Sequence, residues 1–215
     1  SALRSLGIHP DAPVDPSVMV SDDDYYSFFA AVANAGKDGA SLPLRVGNSM
    51  RCDDYGSFGL AWKSAPDLRG SYERLARYAK VLTNVAEYEV RDTREGVLMI
   101  LHREGIRTLG LRMSNEATIA SIVSVSQQAS SKHFQPLKVF FKHAGPGFAD
   151  IHENHFGCPV EFNSELDALL VSKEAMSTPN HLGDPTIAKF FDDHLDQVLE
   201  KLDEDFDLAK EVRIC

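Results

Sequence analysis

The sequence predicts an α+β domain: an antiparallel meander sheet with flanking helices and a long C-terminal connector helix. Three observations carry this reading. Apolar residues recur at helical spacing through the first eighty residues and again from Pro185. Between them the period changes, and residues 86–92, 96–103 and 106–113 read as strands. The gaps between those runs are "TRE" and "EG", short enough for hairpins between antiparallel neighbours.

The first helix spans about 21–35. Ser21 suits an N-cap, and Asp22, Asp23 and Asp24 suit the positive end of the helix dipole. Tyr25, Phe28, Phe29, Val32 and Ala33 share one face, and Gly36 ends it. Residues 37–53 read as loop with a short ordered piece, followed by a short helix over 54–62. Pro66 and Asp67 open a helix running to about Asn84. After the three strand-like runs come a helix over about 115–131, a fourth strand in "LKVFFKH" and a short helix over 147–155. "PVEF" and "ALLV" read as a final hairpin around "NSELD".

From Pro185 onward Ile187, Phe190, Phe191, Leu195, Val198, Leu199 and Leu202 form one apolar stripe on an otherwise acidic helix. Such a stripe needs burial, against its own domain or a second subunit. "EDFDLAKEVRIC" begins a further amphipathic run. The expected division is a main domain over 1–183, a connector over 184–205 and the start of another domain over 206–215.

Composition bounds the function. With 43% hydrophobic and 25% charged residues, the 215-residue chain is an ordinary globular one. Cys52, Cys158 and Cys215 are sparse and unpaired in spacing, which reads as cytoplasmic thiols. "SALRSLGIHP" has no apolar core of a signal peptide, and no apolar run approaches the roughly 20 residues of a bilayer span. The formal charge is −10, of which residues 184–215 carry −6 (10 acidic against 4 basic). Phosphate contacts come from Lys and Arg, so this stretch alone suits DNA poorly.

Candidate sites come from two places. Read as a strand, 106–113 puts Thr108, Gly110 and Arg112 on one face. That face is either a recess ending in a guanidinium able to grip a carboxylate, or a bulge with a solvated strand end. Tyr55, Phe58, Trp62, Tyr72 and Tyr78 cluster before the sheet, where they either line an apolar cavity or form plain core. For a carboxylate ligand, Arg112 is the expected anchor, with His102 and Tyr55 as polar contacts and Arg45 as second choice.

Catalytic and metal signals are weak. His152, His155 and Cys158, with His143, have zinc-ligand identities, but Gly157 and Pro159 break the helix before Cys158. There is no GxSxG elbow, and neither "HAGPGF" nor "GKDGAS" has the phosphate-loop pattern. The reading is of a protein that is not an enzyme and needs no cofactor.

Three stretches resemble the N-terminal, arabinose-binding-like domain of AraC/XylS-type regulators, in the branch responsive to ornithine and arginine. In the first, Gly47, Asp54, Gly56, Gly59, Ser64, Pro66, Leu68, Leu75, Arg77 and Tyr78 fit a glycine-rich segment leading into a Pro-headed helix, with Ala65 where the family often has Ser. In the second, Phe156, Gly157, Cys158, Pro159, Val160 and Phe162 stand where the family has "FFGCPVRF". The third is the helix from Pro185. The resemblance implies a ligand-sensing domain that takes a small effector. It also implies a homodimer through the C-terminal helix, and DNA contact only through a further C-terminal helix-turn-helix domain. A small hydrolase or isomerase, or a ligand-free dimerisation module, are the alternatives.

Overall fold

The computed structural model describes residues 3–9, 11, 19–36, 39–103, 105, 106, 108–145 and 150–212, with positions 5, 40 and 205–212 described by backbone alone. The main elements in chain order are α1 (Asp22–Ala35), α2 (Leu42–Ser49), α3 (Gly56–Ser64), α4 (Leu68–Tyr78), β1 (Glu87–Asp92), β2 (Val97–His102), α5 (Leu109–Ala129), β3 (Lys138–Phe140), α6 (Asp150–Phe156), β4 (Val160–Glu161), β5 (Asp167–Val171), α7 (Lys173–Met176) and α8 (Pro185–Val212). The α+β class is as expected. Among the described residues, no helix is long and apolar enough to cross a membrane.

α1 begins as its sequence dictates: Ser21 Oγ accepts from the Asp24 amide at 3.2 Å, and the three aspartates occupy the first turn. The β1–β2 hairpin also forms where expected, closed by Thr93, whose N–H and hydroxyl both donate to the Gly96 carbonyl. β2 is apolar on both faces because both are covered; Val97, Met99, Ile100 and Leu101 are all buried.

Beyond β2 the meander fails. Residues 109–113 are not a third strand but the first turn of α5, whose N-cap Thr108 accepts from the Leu111 amide at 3.3 Å. The strand faces drawn for Leu109, Leu111 and Met113 against Thr108, Gly110 and Arg112 therefore do not exist. The physical reason is burial: 16 of the 21 residues of α5 are buried, so no apolar stripe marks a helical period. The neighbour of β2 is instead β5, and the sheet order is β1-β2-β5-β3-β4. The expected final hairpin is also replaced: β4 runs parallel to β3, while β5 lies between β2 and β3. Residues 42–49, read as loop, form α2.

α5 is the axis of the domain. α1 and α2 pack against it, and its Ile119, Ile122 and Val123 share one core with Met99, Leu101 and Leu169 of the sheet and with Phe58 and Trp62 of α3. Two crossings are close enough to require glycine. A Cβ on Gly47 would lie 2.4 Å from Ala120 Cβ, and one on Gly110 would lie 1.9 Å from the Tyr26 carbonyl oxygen. Gly110 therefore marks a helix crossing, not a bulge.

The segment before α8 is pinned to the α3–α4 turn. Asn180 Nδ2 donates to the Ala65 carbonyl at 2.9 Å and to Ser71 Oγ at 2.8 Å, and the Asp184 amide donates to the Ser64 carbonyl. α8 then lies along α3 and α4. Arg74 pairs with Asp192 through two bonds of 2.9 and 2.6 Å, and Arg77 with Asp196 at 2.8 Å. Its apolar stripe divides. Leu195 is buried, and Phe191 and Leu199 pack on the domain's own core. Ile187, Phe190 and Leu202 remain 48%, 67% and 42% exposed.

Because the Gly47 contacts include backbone of α5, Gly47→Ala is expected to cost about 1–3 kcal/mol through overpacking. In a domain of this size that lowers the melting temperature by roughly 3–10 °C, measured by thermal denaturation. An unchanged melting point would mean that α2 and α5 can separate freely.

Candidate ligand-binding site

The turn after β2 places Arg103 beside the N-terminal half of α5. Its Nη1 donates to Ser114 Oγ and, at 3.0 Å, to Asn115 Oδ1; Nη2 reaches Thr118 Oγ1 at 3.4 Å. All three partners are neutral. Asn115 is oriented by its other end, since Nδ2 donates to Asp167 Oδ2 at 3.1 Å while Asp167 Oδ1 accepts from the Lys142 amide. Arg103 Nε is buried with no partner. Among the described residues, no carboxylate is bonded to the guanidinium.

Arg103 borders a cleft of about 280 Å³. The other walls are Met19, Val20, Asp22, Tyr25 and Tyr26 at the start of α1, residues 82–85 and Ser114. Leu82 also belongs to an adjoining apolar chamber of about 50 Å³, lined by Tyr55, Phe58, Trp62, Leu75, Tyr88, Thr118 and Ile122 among others. Two more buried polar atoms here lack partners, Tyr26 Oη at the cleft and Trp62 Nε1 at the chamber. Buried polar groups are nearly always hydrogen-bonded, so these three unpartnered donors mark the region of the two adjoining cavities as a candidate ligand site.

The phenols of this region remain donors at neutral pH. Burial pushes Tyr25 up, with Arg103 opposing, and pushes Tyr88 up to about 12. Burial raises Tyr55 as well, against a hydrogen bond with Ser121. Cys52, on the chamber wall, is held up at about 11 by burial and is a protonated, unreactive thiol.

Of the residues expected at a site, Tyr55, Phe58 and Trp62 meet in the chamber. Tyr72 is fully buried core, its hydroxyl 3.0 Å from Ser126 Oγ, and Tyr78 faces α8, donating to the Asp192 carbonyl at 3.4 Å. His102 is exposed and paired with Glu89 at 2.9 Å, and Arg45 is exposed on α2. Arg112 lies on α5, donates from Nη2 to the Ala144 carbonyl at 3.0 Å, and borders a different cavity. Arg103 was not among the expected residues. Its signal was a guanidinium at the end of the run 96–103, which reads as a strand and not as part of a site.

A second polar cluster lies inside the domain. Glu116 of α5 lies 3.0 Å from His143 Nε2 and is hydrogen-bonded to His152 Nε2 at 2.8 Å, and Phe141 and Phe162 pack around both rings. Burial works to raise the Glu116 carboxyl, but the hydrogen bonds from His143 and His152 outweigh it and hold it below the usual range. Two of the expected zinc-type residues are thereby committed to a carboxylate. His155 packs edge-on to Phe156, and burial raises Cys158 to about 11. No group of three His, Cys, Asp or Glu among the described residues is arranged to hold a metal ion.

Residues 1–180 match the family described as the arabinose-binding domain of AraC transcription regulators, N-terminal. The fold is similar to that in the crystal structure of the transcriptional regulator CdpR from Pseudomonas aeruginosa, with a TM-score of 0.64 at 14% identity. That alignment covers 87% of this chain and 57% of the other, so the chain spans a little over half the length of that regulator. No curated protein matches the chain.

A carboxyl held low in the folded state contributes stability above the ordinary carboxylate range, and that contribution is lost as pH falls through it. Denaturant titrations between about pH 7 and pH 3 should therefore show a steep acid-side loss in the wild type. Glu116→Gln should start less stable at pH 7 and lose less on acidification. Parallel curves would exclude Glu116 as the source.

Proposed function

The chain belongs to the family of arabinose-binding N-terminal domains of AraC transcription regulators, and from that footing we propose that it senses a small carboxylate in the Arg103 cleft. The observation that carries this is a guanidinium held by three neutral acceptors on the wall of a cleft of about 280 Å³. A carboxylate or carboxylate-like group supplies the missing charge with paired N–H···O bonds. Asp22, on the same cleft, suits an ammonium, so an amino acid fits both ends. That agrees with the likeness to the ornithine- and arginine-responsive branch. The apolar chamber takes the remainder of the molecule against Tyr55, Phe58 and Trp62.

The same two helices relate the cavity to the C-terminal helix. α3 and α4 supply Phe58, Trp62 and Leu75 to the chamber and carry α8 on their other side. A ligand shifts α8 only by binding one arrangement of α3 and α4 more tightly than another. In this reading α8 is the output: its outward Ile187, Phe190 and Leu202 form the contact with a second copy. DNA recognition belongs to a separate domain, which accords with the net charge of −10 here. The protein is a sensor without catalytic turnover or cofactor, in the cytoplasm.

Trp62 is the sole tryptophan and lines the chamber, so its emission reports occupancy directly. A panel of amino acids and small carboxylates should contain a compound that shifts Trp62 fluorescence and raises the melting point. At one hundred times its Kd the gain is about 2.7 kcal/mol. Arg103→Gln should weaken it by roughly 10–100-fold. If no compound moves either signal, or Arg103→Gln leaves affinity unchanged, the cleft is not the sensor. Turnover of any of them would favour an enzyme instead.

Sedimentation tests the output face. Phe190→Asp should leave the fold intact, because the ring is exposed, and convert dimer to monomer. A wild type that sediments as a monomer across micromolar concentrations removes this contact from the proposal.

A further inference from the structure

Arg103 is held by a chain of side chains that ends on the sheet. The register of β2 against β5 sets Asp167 directly opposite Leu101, two residues before Arg103. Directly opposite residues share a face of the sheet. Leu101 belongs to the core that includes Ile119 and Ile122 of α5, and Asp167 meets Asn115 of the same helix. Both Asp167 and Asn115 are buried.

The hydrogen bonds along this chain can run in one direction only. Arg103 donates and never accepts, so the Asn115 atom 3.0 Å from its Nη1 is the amide oxygen. The amide nitrogen is then the end that faces Asp167, and it donates to Oδ2 at 3.1 Å. Asp167 Oδ1 accepts from the Lys142 amide at 2.9 Å, a backbone donor that cannot be reversed. Asp167 therefore dictates which end of Asn115 meets the guanidinium. The amide also stands between carboxylate and guanidinium, so Asp167 fixes Arg103 through a neutral group instead of bonding it directly.

We propose that Asp167 is the positioning residue of the Arg103 cleft, and that the neutral Asn115 between them makes the cleft select a carboxylate over its uncharged amide. The inference rests on the reading of Arg103 as the anchor. A carboxylate bonded to the guanidinium would occupy its donors and offset its charge, leaving a guest anion little to gain. An amide in that place orders the guanidinium and leaves the charge to the guest. Order and charge are thus separable: exchanging the carboxylate and the amide between positions 115 and 167 keeps every bond and moves the charge.

L-Leucine and L-leucinamide are the probes. Both carry an ammonium for Asp22 and an apolar tail for the chamber, and they differ in the charge of the head group. Titrations followed by Trp62 emission should give the wild type a preference for leucine of roughly tenfold or more. In Asp167→Asn the new amide keeps its oxygen on the Lys142 N–H, so its nitrogen confronts the Asn115 nitrogen. Asn115 then turns over or lets go, and the preference should fall. Asp167→Asn combined with Asn115→Asp restores each hydrogen bond but sets a carboxylate on Arg103. Its melting temperature should return towards that of the wild type while the preference stays lost, whereas a merely structural role would restore both. ¹⁵N spectra of the wild type need no ligand and no exchanged pair: the two Arg103 Nη atoms, held by three acceptors, should give separate signals. A folded Asp167→Asn or exchanged pair that keeps the full preference, or one averaged Nη signal in the wild type, would overturn the proposal and leave the cleft standing. No preference for leucine in the wild type, or one that survives Arg103→Gln, would remove the cleft reading and this inference with it.

Discussion

The burial of α5 on nearly every side is the constraint on which the rest of the structure depends. A helix enclosed in this way cannot turn a polar face to water. Its Ser114, Asn115, Glu116, Ser121, Ser124 and Ser126 are all buried, and each needs a partner inside the protein. Those needs organise the interior. Arg103 is drawn in by Ser114, Asn115 and Thr118; His143 and His152 are drawn in by Glu116; Asp167 fixes Asn115. The small residues that let α2 and α1 approach, at Gly47 and Gly110, are the steric side of the same arrangement.

Electrostatics then separate a structural cluster from a binding one. Glu116 and its two histidines hold α6 and the end of β3 to the central helix. Arg103 is different, because the groups that hold it are neutral and its charge is unspent. A guanidinium kept from full hydration, with no carboxylate bonded to it among the described residues, strongly favours an anionic guest. The enclosed walls of the cleft strengthen that preference relative to an exposed arginine.

The sequence was most legible where one face of an element meets water. α1, α4 and α8 show their periods plainly, and Ser21 and Asp67 cap α1 and α4 through side-chain oxygens. The β1–β2 hairpin was legible from its spacing. α5 was not, because burial all round erases the stripe that marks a helix, and its first turn then read as a strand. That one error displaced Arg112 from a strand face to a helix and hid the pairing of β2 with β5, which lie some seventy residues apart. Pairing over that distance leaves no local mark. The site was half visible. Tyr55, Phe58 and Trp62 could be grouped as aromatics on neighbouring turns, whereas Arg103 enters only once α5 is placed beside the end of β2.

The division of labour around α5 has a consequence for how such a receptor diversifies. The axis itself tolerates little, since its flanks meet close neighbours at Gly47 and Gly110 and its Asn115 and Glu116 are bonded to Asp167 of β5 and His152 of α6. The cleft rim is built from other pieces: Met19 and Val20 ahead of α1, Asp22 and Tyr26 near its start, and the short stretch 82–85. Exchanges there alter the shape and charge presented to a guest without disturbing the frame. Chemical taste and architectural integrity are thereby written on separate segments, so descendants can learn new molecules while inheriting the same scaffold.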